Sequence, residues 1–255
     1  MTQRSHRGPT ACLLVIGNEV LSGRTRDANV QQLATWLEAG GLRLAEARII
    51  PDDRRIIVEA VNRCRRRYDH VFTSGGIGPT HDDVTTAAIA EAFGVGLVLD
   101  PQAVACLEEY YGPAGLNEAR RKMARVPAGA ALIDNPVTRA PGFRLENVYV
   151  LPGIPKTFRA MLDNLQDDIG GGPRRHSLTL RALARESDLA DSLAEIQRDQ
   201  PSVDIGSYPF FQDARPGVAL VLRGTDREQV ARVGVEVKRL IESVQPDVAI
   251  DEASD

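Results

Sequence analysis

Five consecutive apolar residues, Cys12 to Ile16, are followed by Gly17 and constrain the fold of this chain more than any other segment. A strand with one face in water alternates apolar and polar residues, whereas a continuous apolar run is typical of a strand buried on both faces. Sheets of such strands are mostly parallel, because the helices that connect parallel strands cover both faces. The segment therefore predicts an α/β protein with helices on both sides of a central sheet.

The residues that follow alternate between helix and strand patterns. We predict a helix capped by Asn29 that ends at Gly40, a strand from Leu42 to Ile50, a helix capped by Asp53 with Ile56, Ile57, Ala60, Val61 and Cys64 facing inward, and a strand from Asp69 to Thr73. Alternating strands and helices imply right-handed crossovers. The fold class is thus a three-layer αβα protein with a mostly parallel sheet.

The later part of the chain gives weaker patterns and one boundary. Helices are predicted over residues 82–93, 101–111, 117–125 and 156–165, with a hairpin of strands 142–145 and 148–151. Gly170-Gly171-Gly172-Pro173 has the composition of a linker. We therefore predict a first domain over residues 10–169 and a small α+β domain over residues 174–246, with strands near 177–182, 203–208 and 217–222 and helices near 188–198 and 226–243.

Composition excludes several classes of function. The net charge of −4 argues against general nucleic-acid binding, which needs a basic surface. The three cysteines have no CxxC spacing, so structural zinc is not expected, and Cys12 is predicted to be a core residue. No apolar run reaches the roughly 18 residues of a membrane span, and no signal-peptide pattern begins the sequence. We expect a cytoplasmic protein without nucleic-acid or membrane partners.

The strand ending at Thr73 leads into Ser74-Gly75-Gly76-Ile77-Gly78-Pro79-Thr80, which has two interpretations. The glycines can serve a tight strand-to-helix turn that needs positive φ. Alternatively, their N–H groups can form an anion-binding nest at a helix N-terminus. The spacing matches neither the dinucleotide fingerprint nor the P-loop, so those two site types are disfavoured.

Two carboxylates, Asp82 and Asp83, follow the glycines directly. They can simply cap the predicted helix, with Asp82 as the capping residue. Next to a bound phosphate, however, two carboxylates would repel it unless a divalent cation lay between them, and Mg²⁺ sites combine one or two carboxylates with phosphate oxygens. Both interpretations remain open at this point.

Ligands of parallel sheets gather at the carboxyl ends of the strands. Glu19 follows the first predicted strand, Asp52 the second, and Asp83 the third with its glycine turn. Asn135-Pro136-Val137 and Pro152-Gly153-Ile154-Pro155 come after later segments. The sequence therefore predicts that Glu19, Asp52 and Asp83 share one rim with the glycines.

These segments resemble the MoaB/Mog domain family, and more closely its branch in the competence/damage-inducible protein A (CinA) proteins. The resemblance covers about residues 11–165 and is carried by Gly17-Asn18-Glu19-Val20-Leu21-Ser22-Gly23, Asp27-Ala28-Asn29, the run from Gly75 to Thr85, Asn135-Pro136-Val137, Ala140-Pro141-Gly142 and Pro152-Gly153-Ile154-Pro155. Ile205 to Pro209 looks like the small K-homology-like domain that follows in these proteins, without a Gly-x-x-Gly loop for RNA. The amidase domain of full-length CinA proteins is not expected within these residues.

The resemblance implies two activities. The Mog branch binds and adenylylates molybdopterin, and the CinA-like branch is implicated in hydrolysing the pyrophosphate of ADP-ribose with a divalent metal (Mg²⁺, Mn²⁺ or Co²⁺), often with potassium. It also implies a homo-oligomer, a dimer or trimer. Asp83 and Asp52 match the family's acidic residues, whereas Asn18 stands where the family often has Asp, and Thr157 where the CinA pattern usually has Glu.

Our leading hypothesis is a metal-dependent pyrophosphohydrolase of ADP-ribose or a similar nucleotide diphosphate. Its catalytic residues would be Asp83, Asp52 and Glu19, its metal ligands Asp83, Asp82 and Asp52, and its ligand-binding residues Ser74, Gly75, Gly76, Gly78, Thr80, Asn135, Pro152 and Gly153. One alternative is a molybdopterin-binding protein, either an adenylyltransferase or a carrier. Another, favoured by Asn18 and Thr157, is an interaction domain with a vestigial site.

Overall fold

The computed structural model describes residues 8–165, 169, 171–173, 175–246 and 248–254. The chain divides into two compact units with the boundary between Gly172 and Pro173. Each unit has its own sheet and its own apolar core. In the described residues no helix is both long and apolar enough to cross a membrane.

The first unit contains eight strands and seven α-helices within the described residues. The strands are β1 (Thr10–Ile16), β2 (Arg43–Ile50), β3 (His70–Ser74), β4 (Leu97–Leu99), β5 (Arg125–Pro127), β6 (Ala131–Ile133), β7 (Gly142–Leu145) and β8 (Val148–Leu151). The helices are α1 (Asn18–Leu21), α2 (Asn29–Ala39), α3 (Arg54–Cys64), α4 (Thr85–Phe93), α5 (Pro101–Tyr111), α6 (Glu118–Arg121) and α7 (Pro155–Asp163). Short 3₁₀ turns lie at Pro113–Gly115 and Lys122–Ala124.

The main sheet has six strands in the order β2-β1-β3-β8-β7-β6. The first four are parallel, and β7 and β6 continue the sheet antiparallel. Alternate residues of β1 enter different cores. Leu14 lies in the core that includes Ile57 of α3 and Ile89 of α4, whereas Leu13 packs with Leu33 of α2 and Phe158 of α7. This confirms the three-layer αβα fold that the apolar run of β1 predicts.

Two helix predictions need correction. Asp53 caps α3 as predicted, since its carboxylate accepts hydrogen bonds from the N–H groups of Arg55 and Ile56. Ile56, however, is 41% exposed and does not face the core as predicted. Asn29 does not cap α2: it is the first residue of the helix, and the carboxylate of Asp27 accepts the N–H of Val30 instead.

The second unit is a four-stranded antiparallel sheet with two helices. Its elements are β9 (His176–Ala182), α8 (Glu186–Asp199), β10 (Asp204–Gln212), β11 (Arg215–Gly224), α9 (Arg227–Val244) and β12 (Ile250–Ser254), and the strand order is β10-β11-β9-β12. The α+β class is confirmed. The unit's elements follow in the order βαββαβ, and with this strand order they form the ferredoxin-like split βαβ motif. This motif describes the unit more specifically than the K-homology likeness expected from Ile205–Pro209. The last strand, β12, has no counterpart among the predicted elements.

Candidate functional site

Four strands of the main sheet end at the same edge. Ile16 at the end of β1 is paired with Ile50 at the end of β2, and Val15 is paired with Ser74 at the end of β3. Ser74 is in turn paired with Leu151 at the end of β8. The segments after these strands therefore lie side by side, as their positions in a parallel sheet predict.

Gly75 fixes the glycine turn against the end of the sheet. Its N–H donates to the carbonyl of Leu151 at 3.1 Å, so this amide is used by the fold. Its φ is +106°, and a Cβ at this position would lie 2.2 Å from the carbonyl oxygen of Ile16. A Cβ on Gly153 would lie 3.3 Å from the Cα of Gly75, so the two chain segments touch. Gly75 is thus a structural residue of the site.

The next three residues present consecutive N–H groups. The amides of Gly76, Ile77 and Gly78 donate no hydrogen bond to any residue that the structure describes, and all three residues are only half-buried. Gly76 has a φ of +69°. Adjacent N–H groups in a turn with positive φ form the kind of concavity that binds anions. The available donors are therefore Gly76, Ile77 and Gly78. The sequence also predicts Gly75 as a donor, but its N–H is already bonded to Leu151.

Asp82 and Asp83 do not lie in the first turn of a helix, which corrects the prediction of a helix from residue 82. The carboxylate of Asp83 accepts the N–H of Thr80 at 2.8 Å and also its hydroxyl, and these bonds close a turn before the helix. Helix α4 begins only at Thr85, whose N–H donates to the carbonyl of Gly76 at 3.0 Å. Thus the local Asp83–Thr80 turn replaces the predicted capping by Asp82.

A lysine adds positive charge to this loop. Nζ of Lys122 donates to the carbonyl oxygens of Thr80 at 2.6 Å and Asp83 at 2.9 Å. The loop after the glycines is therefore a cross-linked surface segment that carries charges of both signs.

Asp52 and Asp83 flank the glycine turn. Oδ2 of Asp52 accepts the N–H of Asn18 at 2.8 Å. The other carboxylate oxygen of Asp52, Oδ1, is 3.6 Å from the position that a Cβ atom on Gly76 would occupy. Oδ1 of Asp83 is 3.1 Å from the place of a Cβ on Gly78. Within the described chain, neither Oδ1 accepts a hydrogen bond. Each carboxylate thus holds the backbone with one oxygen and leaves the other available beside the turn.

Glu19 is exposed on α1, and its carboxylate folds back over Gly17. Among residues 8–165 and the other described segments, no three His, Cys, Asp or Glu side chains come together as a metal site. A cation at this edge would therefore have at most two carboxylate ligands, with the rest of its coordination supplied by ligand oxygens and water, which is a normal arrangement for Mg²⁺.

Asn29 is a site residue whose role the sequence alone did not indicate. Its side-chain amide donates to the hydroxyl of Ser74 at 2.6 Å and to the carbonyl of Gly153 at 2.8 Å, while its own exposure is 2%. It therefore ties the end of β3 to the segment after β8, beneath the glycine turn. The only sequence signal for it is Asp27-Ala28-Asn29, which belongs to the family resemblance.

Other predicted ligand residues have structural roles in this arrangement. The amide of Asn135 donates to Thr138 and Ala140 and accepts from the N–H of Val137, so it closes its own loop. Thr157, which was not among the predicted ligand residues, is buried on α7 with 2% exposure. Pro152 and Gly153 follow β8 at the same edge as the glycine turn.

Comparison with known proteins identifies the families of the two units. Residues 12–169 match the model of a family described as probable molybdopterin binding domain. The chain belongs to this family. Residues 174–251 match the model of a second family, the middle domain of FAD synthase.

Three relatives illustrate the range of proteins that share these domains. A protein of Archaeoglobus fulgidus is 34% identical over 90% of this chain and 96% of its own length. A probable FAD synthase of Caenorhabditis elegans is 32% identical over 94% of this chain, which spans about half of that relative (51%). The crystal structure of the protein CinA, with unknown function, from Thermoplasma acidophilum matches with a TM-score of 0.59 and 34% identity, covering 62% of this chain and 98% of that one. This molybdopterin-binding-type domain thus occurs in CinA-like proteins and beside FAD synthase modules.

Proposed function

We propose that this chain binds molybdopterin or a closely similar phosphorylated heterocycle, with the phosphate on the N–H groups of Gly76, Ile77 and Gly78. The observation that carries the proposal is that these three neighbouring amides belong to half-buried residues and donate no hydrogen bond within the described chain. Three consecutive backbone donors suit a phosphate group. The family description supports the pterin as the heterocycle.

A second function is favoured by a specific observation, the free Oδ1 atoms of Asp52 and Asp83 on either side of the turn. With two phosphates in the ligand, these oxygens suit a divalent cation that would neutralise phosphate charge and lower the pKa of a bound water. This arrangement supports hydrolysis of a nucleotide pyrophosphate such as ADP-ribose. FAD, which also contains a pyrophosphate, joins the candidates because of the FAD synthase names among the comparisons.

Calorimetry separates the two functions. Molybdopterin, ADP-ribose and FAD are titrated into the full chain, each with and without Mg²⁺ or Mn²⁺, and product formation is followed by chromatography. Preferential binding of molybdopterin without metal supports the first function. Metal-dependent release of AMP from ADP-ribose or FAD supports the second. Absence of saturable binding of all three ligands contradicts both.

Charge-removing variants give a sharper test, because the two functions predict opposite changes in ligand affinity. Without metal, Asp52→Asn and Asp83→Asn remove repulsion of about 1 kcal/mol at 4 Å in water, so phosphate binding becomes several-fold tighter. If a cation bridges carboxylate and phosphate, the same variants weaken binding and abolish hydrolysis. Asp53→Asn is the matched control: it makes the same charge change at the neighbouring residue and keeps a good helix cap.

A further inference from the structure

The second unit contains a cavity of about 310 Å³ between α9 and the strands β9 and β12. Its volume falls within the lower range of small-molecule sites. Helix α9 packs on β9 and β11, and α8 on β10, while β12 extends the sheet at its edge. The helix layer is thus narrower than the sheet, which leaves a groove along α9.

The groove is not explained by loose packing of the helix. At Gly234 a Cβ would lie 2.2 Å from Cδ2 of Leu178, so α9 already touches β9 there. Leu178, Leu180 and Val230 line the cavity as buried core residues, and Val235 of α9, which is 51% exposed, adds apolar surface at its edge. Such a surface suits the apolar body of a ligand.

Two cations line the same cavity. Arg227 and Lys238 both belong to α9, and neither forms an ion pair with another residue that the structure describes. They are eleven residues apart, about 16 Å along an α-helix. Among the lining residues that the structure describes, Glu252 is the one carboxylate, and it stands against the two cations Arg227 and Lys238.

The strand register places Arg227 at one end of the groove. His176, which also lines the cavity, is the register partner of Gly224, and α9 begins three residues after Gly224, at Arg227. Asp226 already caps α9 through the N–H groups of Glu228 and Gln229. An anion at this end would therefore be held by the side chain of Arg227 rather than by the helix terminus.

We propose that this cavity is a second binding site, for an amphipathic anion whose charged head contacts Arg227 and whose apolar body lies against Val235. The site belongs to the second unit alone and does not depend on the function of the glycine turn.

The test uses the full chain and the pair 1-naphthyl phosphate and 1-naphthol, which differ only in the anionic head. We expect 1-naphthyl phosphate to bind with one-to-one stoichiometry in this site and 1-naphthol to bind at least about tenfold more weakly, as expected for loss of a charge-assisted contact. Arg227→Gln weakens binding of the phosphate to a similar extent, and Val235→Trp, which fills the groove, abolishes it.

Arg232→Gln and Arg239→Gln are the matched controls, since both residues are exposed on α9 and do not line the cavity. They leave the affinity unchanged. Equal binding of naphthol and naphthyl phosphate overturns the requirement for an anion. Binding that survives Arg227→Gln and Val235→Trp lies elsewhere, the glycine turn included, and overturns the proposal.

Discussion

Gly75 bonds through its N–H to Leu151 and lies against the carbonyl of Ile16, with a φ that side chains rarely adopt. Gly75→Ala therefore combines backbone strain with a steric clash, and we expect it to lower the free energy of unfolding by more than about 3 kcal/mol. Gly23 is the matched control: its φ is +74°, but nothing lies within 4 Å of a Cβ there. Gly23→Ala should cost only about 1–2 kcal/mol. Denaturant unfolding measures both, and equal losses would contradict the role of the contact with Ile16.

Asn29 permits a second prediction at the same scale. Asn29→Ala removes the hydrogen bonds to Ser74 and Gly153 from a buried position, which should cost about 1–3 kcal/mol of stability. It should also weaken phosphate-ligand binding, because Ser74 directly precedes the glycine turn. Asn147→Ala is the control, since its amide donates to two backbone carbonyls beside α3, those of Arg65 and Tyr68. Loss of stability with unchanged affinity in both variants would contradict a positioning role for Asn29.

The role of Asn29 could not be predicted from local sequence. Its partners Ser74 and Gly153 are 45 and 124 residues away, and only the assembled sheet brings them together. Local chemistry alone favours a capping role for an asparagine at a helix start. The tertiary contacts take precedence here, and Asp27 supplies the hydrogen bond at the N-terminus of α2 instead.

At the scale of elements, two adjacent carboxylates have separate tasks. Asp53 caps α3, so Asp53→Ala should lower the free energy of unfolding by about 1 kcal/mol. Because its carboxylate bonds to the helix backbone and to no other residue that the structure describes, ligand affinity should not change. Asp52→Asn should change ligand affinity but leave the free energy of unfolding nearly unchanged, because the new side chain still accepts the N–H of Asn18. Unfolding curves and calorimetry on the two variants check this, and a changed affinity in Asp53→Ala would contradict the separation.

The sequence predicted those elements whose pattern is local and strong. The continuous run of β1, the cap of α3 and the β7–β8 hairpin were all confirmed. The prediction that α4 begins at residue 82 was wrong, because the hydrogen bonds between Asp83 and Thr80 close a turn that competes with the helix. Short strands such as β4, with three residues, were missed because so few residues establish no periodicity.

At the scale of the whole molecule, the prediction of the rim follows from topology. Parallel strands bring their carboxyl ends to one edge, so the sequence alone predicts that Asp52 and the glycine turn lie together. The number of backbone N–H groups left free for a ligand could not be predicted from the sequence. It depends on the hydrogen bond from Gly75 to Leu151, which forms only when β3 pairs with β8. Residues 12–169, which contain this edge, match the family described as probable molybdopterin binding domain.

The central claim is that the N–H groups of Gly76, Ile77 and Gly78 hold a phosphate. Amide NMR of the full chain, labelled with ¹⁵N in glycine and isoleucine, tests it during titration with molybdopterin or ADP-ribose. We expect saturable shifts of these three amide signals, with a much smaller shift for Gly75, whose N–H remains bonded to Leu151. Saturable binding that leaves the three signals unmoved would contradict it.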